Sequence, residues 1–321
     1  MKDTDQALRV AIIGTGYIAG RHAAALKAMP NIIIVGHVDV VPEGAQKAAT
    51  QWGGNAYTSA DELLKNEQID AVWLCVPPFA HGNLEQTFLD HSIPMYIEKP
   101  VGVDVAQPTE IAKAIADKNA IVNVGYYWRC LEVIPKLKAM LAETPPHLVR
   151  IAYHGPTAPA PWWRVQTKSG GQVVEQATHL VDTARFLLGE ATVLHSLTEH
   201  HDRPEFPDTD IATATAALLQ FENGVFGTLT TTCILDSFVD TTIEFLCDGR
   251  KITLSLKEMH IDTADGRTTE STGTDPLVLA DQAFIAAVQA NDPSKLPCPY
   301  PDALRTQELC YNIQAATKEG N

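Results

Sequence analysis

Apolar residues recur along this chain in two rhythms, and the change between them near residue 147 divides it. In the first part, runs at 8–13, 32–38, 71–76, 95–97 and 120–124 alternate with helical stretches at 42–52, 60–66, 81–91 and 105–118. That alternation predicts a parallel sheet covered by helices on both faces. The run 71–76 is apolar throughout, as a strand buried on both sides must be. Beyond it the rhythm changes. Strand-like runs at 147–153, 212–221, 225–235, 241–247 and 251–256 follow one another with one intervening helix, and Asn223-Gly224 and Asp248-Gly249 supply hairpin turns. This predicts a mostly antiparallel sheet, closed by helices at 283–290 and 303–318.

The first strand runs into Gly14-Thr15-Gly16-Tyr17-Ile18-Ala19, which fits the G-x-G-x-x-G/A turn that opens a dinucleotide-binding βαβ unit. Gly14 takes backbone angles closed to other residues, Gly16 lets a pyrophosphate approach the main chain, and Ala19 lets helix and strand pack closely. The phosphates sit on N–H groups at the helix N-terminus, where the dipole favours an anion. Gly14, Gly16, Tyr17 and Ile18 are therefore assigned to the cofactor. Asp39 ends the second strand, where a carboxylate accepts from both ribose hydroxyls and repels a 2′-phosphate. Val40 and Val41 offer no cation to bind such a phosphate, so NAD is expected rather than NADP. The fold class is a doubly wound Rossmann domain over 1–124, followed by an α+β domain over 125–321 that binds substrate, with the last helix able to return to the first domain.

Composition narrows the function. The formal net charge of −15 argues against nucleic acid as a partner, because neutralising phosphates needs a surplus of Lys and Arg. Cys75, Cys130, Cys233, Cys247, Cys298 and Cys310 form no C-x-x-C pair or Cys/His cluster, so no metal site is expected and the thiols read as reduced. The polar start, residues 1–6, lacks a signal-peptide pattern, and no apolar run approaches the ~18 residues of a membrane span. A cytoplasmic protein is expected.

Ligands of open α/β sheets bind outside the strand carboxyl ends, which marks Pro77, His81, Glu98, Lys99 and Tyr126. Lys99, in Glu98-Lys99-Pro100, can donate to a substrate hydroxyl or carbonyl oxygen. Gly170-Gly171 precedes a predicted helix that places Glu175, His179 and Asp182 at i, i+4 and i+7 on one face. A carboxylate one turn away can orient the imidazole and leave its other nitrogen to take a substrate proton. The reverse assignment stays open, because burial could depress a lysine enough to make it the base. Trp162 and Trp163, in a predicted loop, suit the C–H face of a sugar ring. The Thr- and Ala-rich strands at 212–215 and 228–232 suit a flat surface that pairs with another subunit.

Taken together, these stretches resemble the glucose-fructose oxidoreductase/inositol dehydrogenase (Gfo/Idh/MocA) family over nearly the whole chain. The resemblance rests on the glycine turn with Arg21-His22, Val76-Pro77-Pro78 with His81, Glu98-Lys99-Pro100, Gly125 with Arg129, Gly170-Gly171 with His179 and Asp182, and Pro301-Asp302-Ala303-Leu304-Arg305. It implies Lys99 as the active-site lysine, His179 as the catalytic histidine, and Glu175 at a carboxylate position that is usually Asp. It implies also an open-faced sheet used for homodimer or homotetramer formation, and hydride exchange between NAD(P) and a sugar, polyol or related hydroxyl compound. The expected substrate-binding set is Lys99, Tyr126, Arg129, Trp162, Trp163, Glu175 and His179. Two alternatives are an enzyme that retains NAD for transient oxidation (epimerase, isomerase or glycoside cleavage) and a non-catalytic dinucleotide sensor.

Overall fold

A computed structural model describes residues 7–315. The start at 1–6 and the end of the predicted 303–318 helix lie outside the described residues. Two compact units emerge, the first from Met1–Gly102, Ala106–Gly125 and Leu277–Leu304, the second from Val103–Val105, Tyr126–Pro276 and Arg305–Asn321.

The first unit contains β1 (Leu8–Ile13), α1 (Tyr17–Ala28), β2 (Ile32–Val38), α2 (Pro42–Trp52), β3 (Asn55–Tyr57), α3 (Ala60–Asn66), β4 (Ala71–Leu74), α4 (Asn83–Asp90), β5 (Met95–Ile97), α5 (Ala106–Lys118) and β6 (Val122–Val124). Its strands pair in the order β3-β2-β1-β4-β5-β6, all parallel. The order reverses between β1 and β4, and a doubly wound sheet opens its ligand crevice at such a point.

Part of the C-terminal region, Leu277–Leu304, returns to this unit. The returning segment brings α9 (Pro276–Ala290). Its Phe284 meets Trp73 and Tyr96 edge-on at 5.2 and 5.7 Å. Its Asp281, fully buried, accepts from the Trp73 indole at 2.9 Å and bonds His22 Nδ1 at 2.8 Å. The other ring nitrogen of His22 bonds Glu98 Oε1 at 3.0 Å. Burial would depress this imidazole, but the two carboxylates more than offset it and hold it at about 9. His22 is therefore buried between two carboxylates that favour its charged form.

The second unit contains α6 (Ile134–Glu143), β7 (Leu148–His154), α7 (Gln166–Ser169), α8 (Thr178–Leu188), β8 (Ala191–Glu199), β9 (Ala214–Phe221), β10 (Phe226–Thr232), β11 (Asp240–Cys247), β12 (Arg250–Leu254), β13 (Glu258–Thr263) and β14 (Gly266–Ser271). The last helix, α10 (Tyr300–Ala315), runs from the first unit into the second. The eight-stranded sheet runs β14-β13-β12-β11-β7-β10-β9-β8, antiparallel except for β7 with β10. Val149, Ile151, Leu219, Leu229, Ile243 and Phe245 face a core shared with Leu137, Leu180 and Ile313.

Its opposite face has two characters. Across β7 and β11 to β14, Arg150, Glu244, Lys251, Asp262 and Arg267 form a ladder of ion pairs. Across β8 to β10 the same face carries Leu197, Leu218 and Phe226, all exposed. β13 and β14 were not expected, since the sequence at 266–271 has no apolar residue to mark a half-buried strand.

Stability should follow His22 and His37, two buried histidines of the first unit. His22 has a folded value above the ordinary 6.5, so its contribution is complete below pH 6.5 and is lost as pH rises through about 9. Burial pushes His37 down to about 4, so stability is lost as pH falls from about 6.5 towards 4, where only the unfolded chain takes the proton. The urea midpoint is expected to peak near pH 6.5, and His22→Gln should flatten the alkaline arm alone. A wild-type midpoint unchanged between pH 6.5 and 9 would show that His22 is not the charged form.

Candidate active site

In the first unit the chain leaves β1 through Gly14 at φ +89°, where a Cβ would stand 2.2 Å from the Cys75 carbonyl oxygen. A side chain is excluded there by both angle and neighbour. Gly16 caps α1 without a side-chain hydrogen bond, no acidic residue lies in the first turn, and nothing stands within 4 Å of where its Cβ would be. The helix therefore presents an open, positively polarised end, which fits a pyrophosphate. Beside it Tyr17 is exposed and Ile18 half-buried. Asp39, half-buried, is tethered. Its Oδ2 accepts from Thr15 N at 3.0 Å and from the Thr15 hydroxyl at 2.5 Å, and its Oδ1 from Val41 N at 2.9 Å.

Two residues expected at the cofactor face inward instead. Glu98 is 3% exposed, with one oxygen on His22 and the other accepting from Lys99 N at 3.2 Å. A Cβ on Gly125 would stand 2.6 Å from it. His81 is 4% exposed, with Nδ1 bonded at 2.5 Å to Glu85, which also accepts from Gly82 N. In the structure both hold the strand ends through internal partners. A buried carboxylate must find donors, and Glu98 finds them in His22 and in the backbone of Lys99. Pro77, half-buried, opens the turn after β4, and Lys99 is half-buried before Pro100 across a cis peptide bond.

In the second unit Gly170 and Gly171 have φ of +76° and +86°, and a Cβ on Gly171 would stand 2.2 Å from Gln314 Nε2. The helix that follows is not uniform. A π-helical turn, Val173–Ala177, carries Glu175, and α8 begins after it with His179 in its first turn. Such turns recur at functional sites. His179 packs on Tyr127 at 4.6 Å between ring centres and meets Tyr126 edge-on at 6.0 Å.

Asp182 does not orient His179. It accepts two bonds from Arg129, at 2.7 and 2.6 Å, and one from Thr306 at 2.7 Å. Arg129, 7% exposed, is half of a buried ion pair. Tyr126, 1% exposed, shares a hydrogen bond with Thr178 at 2.8 Å and forms the wall behind His179. Of the expected tryptophan wall, Trp162 is half-buried, whereas Trp163 is 1% exposed and packed with Ile211 and Cys233. Its indole donates to Glu175 Oε2 at 2.6 Å, so Trp163 holds the carboxylate.

Tyr153 escaped the sequence reading. Burial, helped by the charge of Glu175 and by Tyr127, pushes its phenol well above the ordinary tyrosine range. The signal was the period of two in β7, which places Tyr153 on the inner face with Val149 and Ile151. Among the described residues no group of His, Cys, Asp and Glu is arranged to hold a metal ion.

Comparison with known proteins agrees with this geometry. The model of the oxidoreductase family with an NAD-binding Rossmann fold matches residues 8–126, and that of the GFO/IDH/MocA C-terminal domain matches 144–253. The chain is 28% identical over 189 residues to inositol 2-dehydrogenase of Rhizobium meliloti, covering 58% of this chain and 56% of that protein. It thus spans little more than half the length of that relative. The fold is shared with KijD10, a 3-ketoreductase from Actinomadura kijaniata solved with NADP and TDP-benzene (TM-score 0.86, 19% identity, 98% of each chain). It is shared also with an Agrobacterium radiobacter oxidoreductase solved with NAD+, L-tartaric acid and magnesium (TM-score 0.83, 18% identity, 97% and 96% covered).

The buried Arg129–Asp182 pair generates a stability test. Arg129→Met leaves a buried carboxylate uncompensated and should cost about 3–5 kcal/mol in urea unfolding. A raised KM with unchanged stability would instead return Arg129 to the substrate.

Proposed function

Because the chain belongs to the Gfo/Idh/MocA oxidoreductase family, we propose that it is an NAD-dependent dehydrogenase acting on a secondary hydroxyl of a sugar, polyol or related compound. The observation that carries this reading is the open α1 terminus beneath Gly14 and Gly16, with Asp39 tethered at the end of β2. Asp39 supports NAD over NADP, since a carboxylate accepts ribose hydroxyls and repels a phosphate. Gly14, Gly16, Tyr17, Ile18 and Pro77 line the dinucleotide, which when bound supplies the hydride acceptor.

The chain's own residues manage the proton and the geometry. His179 takes the hydroxyl proton, its ring held on Tyr127 and Tyr126. Lys99 donates to a substrate hydroxyl or carbonyl oxygen, its backbone held by Glu98. Glu175, fixed by the Trp163 indole, and the half-buried Trp162 complete the substrate contacts. The six cysteines are free thiols, which supports a reducing, cytoplasmic setting.

Absorbance of NADH against a panel of polyols and sugars tests the reaction. His179→Ala should lose roughly 10² to 10⁴ in kcat with NAD affinity intact, and Lys99→Ala should damage kcat and KM together. If His179→Ala keeps its turnover and pH profile while Lys99→Ala abolishes both, Lys99 is the base.

The subunits associate through the apolar half of the second sheet, where Leu197, Leu218 and Phe226 share one face. Light scattering should find a homodimer or homotetramer for the wild type and a smaller species for Leu218→Lys. A monomeric wild type would overturn this.

A further inference from the structure

We infer that Thr15 determines cofactor selectivity, by holding Asp39 in the one orientation that reads an unmodified ribose. The inference rests on the reading of the glycine turn as a dinucleotide site. Thr15 occupies the variable position between Gly14 and Gly16, where the pattern asks only for backbone. Here its side chain is used. The hydroxyl donates to Asp39 Oδ2 at 2.5 Å and the main-chain N–H donates to the same oxygen at 3.0 Å. From the other side Val41 N donates to Oδ1 at 2.9 Å.

A carboxylate offers about four acceptor directions. Among the described residues three donors take three of them, both on Oδ2 and one on Oδ1. One direction on Oδ1 remains for a ribose hydroxyl. The Thr15 oxygen, having given its proton to Asp39, keeps its own lone pairs and serves as acceptor for the second hydroxyl. The ribose diol is thus read by the Thr15–Asp39 pair and not by Asp39 alone. A 2′-phosphate brings no donor, meets the carboxylate charge, and finds the Thr15 proton already committed.

The first turn of α2 is shaped around this pair. A Cβ on Gly44 would stand 2.7 Å from Thr15 Oγ1 and 3.5 Å from Asp39 Cγ. Relief would come from turning the Thr15 side chain, which breaks its bond to Asp39. Gly44→Ala therefore perturbs the hydroxyl without altering either partner.

The test is fluorescence titration of the full chain with NADH and with NADPH, for the wild type, Asp39→Ala, Thr15→Val, Thr15→Ser and Gly44→Ala. Circular dichroism melts check that each variant is folded. Thr15→Val keeps shape and the backbone bond, and should weaken NADH binding about tenfold while moving NADPH less than twofold. Thr15→Ser should retain the wild-type ratio, and Gly44→Ala should narrow it as Thr15→Val does. A Thr15→Val ratio equal to wild type, or tighter NADH binding, overturns the role of Thr15 while Asp39→Ala still narrows the preference. A wild type that binds neither dinucleotide, or an Asp39→Ala ratio equal to wild type, overturns the dinucleotide reading and the inference with it.

Discussion

A histidine buried between two carboxylates is the constraint on which the first unit depends. His22 lies on α1, Glu98 at the end of β5, Asp281 on α9, and Trp73 on β4 adds a donor to Asp281. Burying these charges costs several kcal/mol each unless they compensate one another, and removing one member leaves the others uncompensated. The helix with the open Gly16 end and the strand end that carries Lys99 are thereby tied together through His22 and Glu98. The same network explains why a segment near the C-terminus returns to this unit, since Asp281 and Phe284 complete its core.

The second unit uses the same device with other residues. Asp182 takes bonds from Arg129 and Thr306, and Thr306 accepts from Arg185 Nε at 3.0 Å. Arg185 in turn reaches Glu190 at 2.6 Å. This chain of buried polar groups anchors α8 from beneath, and His179 rides on its first turn. Trp163 does for Glu175 what Glu98 does for the Lys99 backbone. Glu175 and the Lys99 backbone are thus each oriented by a buried neighbour. Such preorganisation is what proton transfer to a positioned base requires.

The two halves of the open sheet face illustrate a further economy. Where cross-strand neighbours carry opposite charge, from Arg150 to Arg267, the face satisfies itself in water. Where they are Leu, Ala and Thr, it has no such partners within the sheet. One sheet therefore provides a core for α8 on one side and two surfaces of different chemistry on the other.

Much of the fold was legible in the residues alone. The order of strands and helices in the first unit follows from local periodicity, and Gly14, Gly170 and Gly171 mark turns because the need for positive φ is a property of the residue itself. The glycine pattern, Asp39, Lys99, Glu175 and His179 could be picked out for the same reason, since spacing along a strand end or a helix turn is local. Partner choice was not. His22 and Asp281 are 259 residues apart and Asp182 and Thr306 are 124 apart, and no local rule pairs them. The helical period of 3.6 predicted one face for Glu175, His179 and Asp182, but an intervening π turn and the pull of Arg129 gave them different neighbours. Trp163 looked like an exposed wall because a loop sequence does not say which indole has a carboxylate within reach. Periodicity is set by the backbone, so the chain determines its elements by itself; which buried charge meets which is set by packing, and only the tertiary structure decided that.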